Sequence, residues 1–351
     1  MSLTWLEEST AVPDEAALQQ AREHQAQLTK PLGALGGLED VAIRLCGLQK
    51  TDAPAVDDIH ITVFAADHGV AAAGVSCYPQ AVTGEMVRNF AAGGAAINVL
   101  ARQFNARLEV VDAGVGRDLG ELAGVVRQPV APGTADFRQA PAMSPEQLAT
   151  ALALGRDAVQ RACDGGCDAF IAGEMGIGNT TAAAALACAV LGEAPAVLVG
   201  PGTGLDEAGR AHKETVVAEA LAFHRPHIAT PLDALRRLGG FEIAAMTGAY
   251  LRCAQLGLPA VVDGYIASTA ALLAARLNPA AAAWWFFAHA SAEPGHVRVL
   301  AALEARPLLD LGMRLGEGSG AAVAVPLLRL ACCLHREMAT FAQAGVSQAG
   351  E

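Results

Sequence analysis

The sequence predicts an α/β fold, a parallel sheet with helices on both faces. Three observations carry that prediction. Six short apolar runs recur along the chain, at Ile59–Ala66, Leu108–Asp112, Ala169–Ala172, Ala196–Val199, Ala260–Val262 and Trp284–Ala288. They are near-continuous rather than alternating, as strands buried on both faces are. Longer helical segments separate them, and strands alternating with helices build parallel sheets. Each run is followed by small or polar residues: Asp67-His68-Gly69, Asp112-Ala113-Gly114, Gly173-Glu174, Gly200-Pro201-Gly202, Asp263-Gly264 and His289-Ala290-Ser291. Ligands bind outside the carboxyl ends of such strands, so these endings predict a single cleft on one rim.

Taken in order, residues 1 to 50 read as peripheral helices. Glu15 to Leu28 is one helix; Lys30-Pro31 ends it, and Gly36-Gly37-Leu38-Glu39 starts another that runs to about Leu48. A residue before proline is pushed out of the helical region. After the first strand, Val70 to Gln80 is a loop, and Val82 to Gln103 reads as one helix with Gly93-Gly94 inside it. Val115 to Met143 follows the second strand with weak periodicity and three prolines, and is expected to cover a site or touch a partner subunit. Ser144-Pro145-Glu146-Gln147 opens a helix with a capping pair and a proline at its first position. Further helices are expected at Leu205–Phe223, Leu238–Leu256, Ile266–Leu277, His296–Glu304 and Ala321–Phe341; Leu308–Leu315 is ambiguous between strand and helix.

Composition narrows the function classes. The 351 residues suffice for one large domain plus a smaller one. Abundant alanine and glycine suit helices packed closely on a sheet. The net charge of −12, with no basic run, argues against non-specific nucleic-acid binding. Ala321–Leu334 is interrupted by Pro326 and Arg329, so no span of a bilayer is expected. Met1 to Thr10 carries two glutamates and lacks the pattern of a targeting signal. The eight cysteines are scattered, and Cys163-Asp164-Gly165-Gly166-Cys167 lacks zinc-ligand spacing. Together these readings imply a reduced, cytoplasmic protein.

The stretch richest in chemistry is Gly173-Glu174-Met175-Gly176-Ile177-Gly178-Asn179-Thr180-Thr181. It joins an apolar strand to an alanine-rich helix. Gly176 and Gly178 are read as giving a ligand access to backbone N–H groups, with Asn179, Thr180 and Thr181 as capping residues. A helix start of this kind binds a phosphate or carboxylate. Its spacing matches neither a Walker A loop nor GxGxxG, which disfavours a dinucleotide oxidoreductase. A second glycine turn, Gly202-Thr203-Gly204, precedes the helix that carries Lys213. On local grounds Lys213 reads as a solvated surface lysine; a site role requires its side chain to reach back. His68 and His289 are read as hydrogen-bonding residues before metal ligands. Glu317 lies in Gly316-Glu317-Gly318, and both a helix cap and a catalytic carboxylate fit it.

In five stretches the chain resembles the nicotinate-nucleotide–dimethylbenzimidazole phosphoribosyltransferase family. They are Lys30-Pro31-Leu32-Gly33-Ala34-Leu35-Gly36, Val63 to Val70, Gly173 to Thr181, Val262-Asp263-Gly264 and Leu315-Gly316-Glu317-Gly318-Ser319-Gly320. They run in order over almost the whole chain; Ala34 stands where the family has serine. The resemblance implies a Rossmann-like six-stranded parallel sheet, residues 51–320, and a small helical domain from both chain ends, residues 1–50 and 321–351. It also implies a homodimer.

The implied reaction joins nicotinate mononucleotide and 5,6-dimethylbenzimidazole, or a related base, into α-ribazole 5′-phosphate and releases nicotinate. In that reading Glu317 is the general base, and Glu174 stabilises the oxocarbenium-like charge. Met175, Gly176, Ile177, Gly178, Asn179, Thr180, Gly202, Thr203, Gly204, Lys213, Asp263 and Ser291 bind substrate. Leu315 is also assigned to substrate binding, and Gln80 and Arg88 to the base pocket. The chemistry is consistent with this. Nicotinate leaves with a neutral ring nitrogen, so no general acid is needed. No pyrophosphate is present to demand magnesium, and neither a metal nor a cofactor is expected. The attacking benzimidazole becomes cationic and must lose a proton, which is general-base work. A nucleotide-binding regulator without catalysis stays open as an alternative.

Overall fold

The structure, a computed structural model, describes residues 3–347. Six parallel strands form one sheet: β1 Ile59–Ala66, β2 Arg107–Gly114, β3 Val125–Arg127, β4 Ala169–Met175, β5 Ala260–Val262 and β6 Trp285–Phe287. Their order across the sheet is β3-β2-β1-β4-β5-β6, with every neighbouring pair parallel. The chain runs outward from β1 to β3 and returns to β4 on the other side of β1. That reversal is the Rossmann order, and the crevice it opens lies at the carboxyl ends of β1 and β4. Every residue of β1 is buried, as expected of a central strand covered on both faces.

Fourteen α-helices accompany the sheet among the described residues: α1 Glu15–Gln27, α2 Gly37–Gln49, α3 Ala81–Ala92, α4 Ala96–Gln103, α5 Pro145–Asp164, α6 Asn179–Leu191, α7 Pro195–Leu198, α8 Glu207–His224, α9 Pro231–Leu238, α10 Phe241–Leu256, α11 Tyr265–Leu277, α12 His296–Ala302, α13 Ser319–Glu337 and α14 Phe341–Ala344. The expected cap of α5 is present: Ser144 Oγ accepts from Gln147 N, and Gln147 Oε1 accepts from Ser144 N. Glycine lets helices approach closely. A Cβ on Gly155 of α5 would meet Ala249 N of α10 at 2.6 Å, and one on Gly248 of α10 would strike the Leu152 backbone.

Several expected elements differ. Ala196–Val199 is not a strand; Pro195 opens the short helix α7 there. Proline at the first helical position pre-sets the turn, and a four-residue apolar run does not choose between helix and strand. The sixth strand is β3, inside the segment read as a long loop. It is a half-exposed sheet edge of three residues, so it lacks the buried pattern of the others. The Val82–Gln103 helix is two helices, because Gly93 takes φ +79 and ends α3. Gly239-Gly240 likewise separates α9 from α10, so Leu238 closes the earlier helix. Leu308–Leu315 is neither helix nor strand; Leu309 N donates to Ala288 O (3.0 Å) and forms an isolated bridge with His289. The last long helix stops at Glu337, and Phe341 starts the separate α14.

Helices from the two chain ends meet. Thr29 N donates to Ala339 O (3.0 Å), and the His335 ring of α13 contacts Gln25 (2.9 Å) and Cys46 (3.5 Å) from α1 and α2. Lys30 forms a buried ion pair with Glu39 (2.9 Å) and donates to Gln25 O (3.0 Å). The expected outer boundaries, residues 1 and 351, lie outside the described residues.

Candidate active site

A cavity of about 270 Å³ opens where β4, β5 and β6 end. Strand register brings its parts together. Ala172 pairs with Val262, and Val262 with Phe287, so Glu174, Asp263 and His289 emerge side by side. All three line the cavity, with Met175, Gly176, Ile177, Asn179, Thr180, Gly202, Thr203, Ser291 and Leu315. Gly178, Gly204, Lys213, Glu317, Gln80 and Arg88 are not on its wall.

The β4–α6 turn is shaped from beneath. Gly178 has φ +98, a left-handed conformation that glycine adopts readily, and is itself the N-cap of α6. A Cβ on Gly176 would lie 2.5 Å from Ala66 O and 3.2 Å from the His68 ring. Packing at Gly176 and backbone conformation at Gly178 therefore require both glycines, and Gly176 also lies on the cavity wall. The residues after them do not cap the helix. Asn179 Nδ2 donates to Glu174 Oε2, Thr180 Oγ1 accepts from Lys213 Nζ (2.8 Å), and Ile177 N donates to Thr83 Oγ1 (3.1 Å). Beneath the turn, the buried His68 Nε2 meets Glu242 Oε1 at 2.7 Å, so His68 acts as a hydrogen-bonding residue.

One end of the cavity is acidic. Glu174 is 6 % exposed. Burial first, then the charges of Glu242, Asp263 and Glu317, push its carboxyl up to about 8, against the Asn179 hydrogen bond. Asp263 Oδ1 accepts from Ala321 N (2.8 Å) in the first turn of α13 and lies 3.5 Å from His289 Nε2. Burial alone would lower the His289 pKa; the hydrogen bond and charge of Asp263 outweigh it and raise it.

Glu317 joins this end from the side. Its backbone N donates to Glu174 O (3.3 Å), and a Cβ on Gly173 would collide with the Glu317 backbone, so the two glutamates are held on touching segments. Glu317 takes φ +64, rare for a residue with a side chain. Its Oε2 accepts from Ile97 N (3.2 Å) in the first turn of α4. It therefore satisfies a helix start, but not that of its own helix. Burial raises its pKa in spite of that bond. Oε1 accepts no hydrogen bond from the described residues.

The other end carries two cations, Lys213 and Arg314, around the carboxylate of Glu293. Lys213 is buried, at 1 % exposure, and not a surface lysine. Its Nζ donates to Thr180 Oγ1 and reaches Gly200 O at 3.4 Å, directly behind the wall formed by Thr180 and Gly202. Burial lowers its pKa to about 8 against the pull of Glu293. Gly202 has φ +54, and a Cβ there would meet Thr180 Oγ1 at 2.8 Å and Lys213 Nζ at 3.1 Å. Arg314 Nη1 donates to Gly202 O (3.2 Å), and the Thr203 hydroxyl lies 3.1 Å from that of Ser76. Ser291 N donates to His296 Nδ1 (2.8 Å).

The remaining expected residues lie elsewhere. Gln80 is exposed and donates to His68 O (3.3 Å); Arg88 is exposed and donates to Asp118 O (3.2 Å). Asp67 and Asp112 tie down loops, accepting from Gly116 N (2.7 Å) and Val115 N (2.9 Å). The strand endings therefore do not all enter one cleft. The expected site set lacks nine wall residues: Tyr78, Gly264, Tyr265, Ile266, Ala267, His289, Glu293, Arg314 and Gly316. Glu293 stands two residues beyond the His289-Ala290-Ser291 ending, and Arg314 just before Leu315; both flank segments that the pattern of strand endings and glycines marks.

A family model described as "Phosphoribosyltransferase" matches residues 10–346. The nicotinate-nucleotide–dimethylbenzimidazole phosphoribosyltransferase of Pseudomonas aeruginosa (strain LESB58) is 60% identical over 347 residues, covering 99% of both chains. The enzyme of the same name from Azotobacter vinelandii (strain DJ) is 61% identical over 348 residues, 99% of this chain and 98% of that one. The crystal structure of the enzyme of this name from Thermus thermophilus superposes with a TM-score of 0.91 at 47% identity, covering 96% of this chain and all of that one. By sequence along its full length and by fold, the chain belongs to the nicotinate-nucleotide–dimethylbenzimidazole phosphoribosyltransferase family of enzymes.

Proposed function

We propose that the chain transfers phosphoribose from nicotinate mononucleotide to 5,6-dimethylbenzimidazole, releasing nicotinate and forming α-ribazole 5′-phosphate on the route to cobalamin. The observation that carries this reading is the charge division of one cavity. Lys213 behind the wall and Arg314 on it give the Thr180–Gly202 end two cations against the one carboxylate of Glu293, whereas Glu174 and Asp263 line the other. Nicotinate mononucleotide has the complementary division, a phosphate at one end and a cationic pyridinium–ribosyl centre at the other.

In this reading the phosphate lies against Thr180, Gly202 and Thr203, neutralised by Lys213. The glycosidic carbon then faces the Glu174 end. A cation arriving there favours ionised Glu174, and the resulting carboxylate stabilises the charge that builds on the ribose as nicotinate leaves. The base attacks from the opposite face, which inverts the anomeric carbon. Glu317 removes the remaining proton from the attached base, its unengaged Oε1 being the acceptor. The carbon–nitrogen bond to nicotinate takes its electrons to the ring nitrogen, and the proton passes to the carboxylate, so the reaction balances without a cofactor.

The homodimer, the cytoplasmic location and the separate small domain built from both chain ends belong to the same proposal. The contacts of His335 and Thr29 across the two ends support the last of these. Among the described residues, no helix is long and apolar enough to cross a membrane. Incubation with nicotinate mononucleotide and a panel of benzimidazoles, purines and phenols, read by mass spectrometry, tests the function. Nicotinate should appear together with one ribotide product. Nucleotide binding without nicotinate release would show a regulator instead.

A further inference from the structure

We propose that Glu293 shares one proton with the phosphate of the bound nucleotide, so that the cationic end of the cleft takes up a proton as it fills; this rests on the phosphate placement proposed above. Glu293 lines the cavity and is 6 % exposed. Neither carboxylate oxygen meets a donor in good hydrogen-bond geometry. Its carboxylate lies against Gly200, where any Cβ would collide with it. The neighbouring cations are engaged elsewhere, Lys213 Nζ with Thr180 Oγ1 and Gly200 O, and Arg314 Nη1 with Gly202 O.

The groups facing Glu293 identify what a phosphate meets there. Lys213 comes from α8 and Arg314 from the segment before α13, and both attract the carboxylate. The Tyr265 hydroxyl of α11 donates to Leu198 O (3.1 Å). The His296 ring of α12 accepts from Ser291 N at Nδ1, so its proton is on Nε2, toward Ser268, and the ring is neutral. The Gly202 backbone N–H is directed at the carboxylate and acts to lower its pKa. Burial holds the Glu293 pKa above the usual carboxylate range, against these attractions.

A phosphate dianion against Thr180 and Gly202 is an acceptor-only group facing a second acceptor-only group. The flanking donors Lys213, Arg314 and Gly202 N attract both groups, but where the two acceptors face each other directly they repel. One proton turns the contact into a charge-assisted O–H···O⁻ bond. The second pKa of a phosphate monoester is about 6, so near neutral pH the free nucleotide is mostly dianion and the proton comes from water. Phosphate and carboxylate then titrate as a pair, whichever oxygen carries the proton.

The test is calorimetric titration with ribose 5-phosphate near neutral pH, in buffers of different ionisation enthalpy. This probe lacks the pyridinium ring and leaves the acidic end out of the proton balance. Burial lowers the Lys213 pKa to about 8, so the titration is run on the acid side of neutrality, where Lys213 is mostly charged, and the Lys213→Ala protein shows any part of the uptake that belongs to Lys213. Wild type and Glu293→Asp should take up close to one proton, and Glu293→Gln a small fraction of one. Equal uptake by wild type and Glu293→Gln, or none by wild type, would overturn the proposal. The wild-type value stands whether or not the glutamine variant folds, which circular dichroism checks. Lys213→Ala separates the two claims. Loss of a charged hydrogen bond should weaken ribose 5-phosphate roughly 10–100-fold. Unchanged affinity would remove the phosphate from this end and the proton-sharing claim with it. Weakened affinity, with uptake persisting in Glu293→Gln, would overturn the proton sharing alone.

Discussion

In the proposed reaction Glu317 and Glu174 carry the chemistry at the residue scale, and their environments assign them different tests. Glu317→Gln keeps the Ile97 hydrogen bond within reach but cannot accept a proton. A positioned base contributes ~10²–10⁴-fold, so turnover should fall within that range while affinities change little. The low-pH limb of the wild-type rate should vanish in the variant; bases of graded basicity separate it from protonation of the substrate. Near-wild-type turnover by a folded Glu317→Gln would move the role to Glu174. Glu174 makes a stability prediction. Its pKa is raised to about 8 from an ordinary value of 4.5, so the folded state binds the extra proton between those pH values. Stability contributed by the protonated form is present at low pH and lost as pH rises through about 8. Glu174→Gln should therefore flatten the fall of melting temperature between mildly acidic and mildly alkaline pH, and lose activity. A parallel fall in both proteins would show that Glu174 is ionised when empty. Both glutamates were legible in the sequence as carboxylates among glycines. The burial of Lys213 was legible too, because Lys213, Val216, Val217, Ala220, Leu221 and His224 form one helical stripe. Reading the residue apart from its helix face hid it.

At the scale of elements, the β4–α6 turn is the part most dependent on backbone conformation. Gly178→Val places a β-branched residue at φ +98 and shifts the start of α6, which carries Asn179 and Thr180. Calorimetry should show nucleotide affinity falling far more than base affinity; unchanged nucleotide affinity would place the phosphate away from this turn. The α5–α10 contact makes a packing prediction. Gly155→Ala forces a methyl against the Ala245 and Ala249 backbone, and overpacking costs typically ~1–3 kcal/mol. Chemical denaturation should show at least that loss. Long buried strands such as β1 and capped helices such as α5 were readable because burial and capping leave local patterns. β3 and α7 were not, because three or four residues carry too little periodicity and the edge position of β3 is set by tertiary pairing.

At the scale of the molecule, the cleft opens beside the β1–β4 reversal, where β4, β5 and β6 end, while the distribution of charge along it supports the proposed substrate. The polar strand endings announced the rim, but only the register separates Glu174, Asp263 and His289 from Asp67 and Asp112, which hold loops. Reaction without a metal is expected, so turnover should survive chelation; loss with EDTA and recovery with a divalent ion would contradict it. Light scattering should give twice the chain mass if the homodimer is right. The most direct test of the proposed reaction is an NMR time course with nicotinate mononucleotide and 5,6-dimethylbenzimidazole. Free nicotinate and a ribotide of α configuration should appear in equal amounts. A β product, or no release of nicotinate, would contradict the proposed reaction.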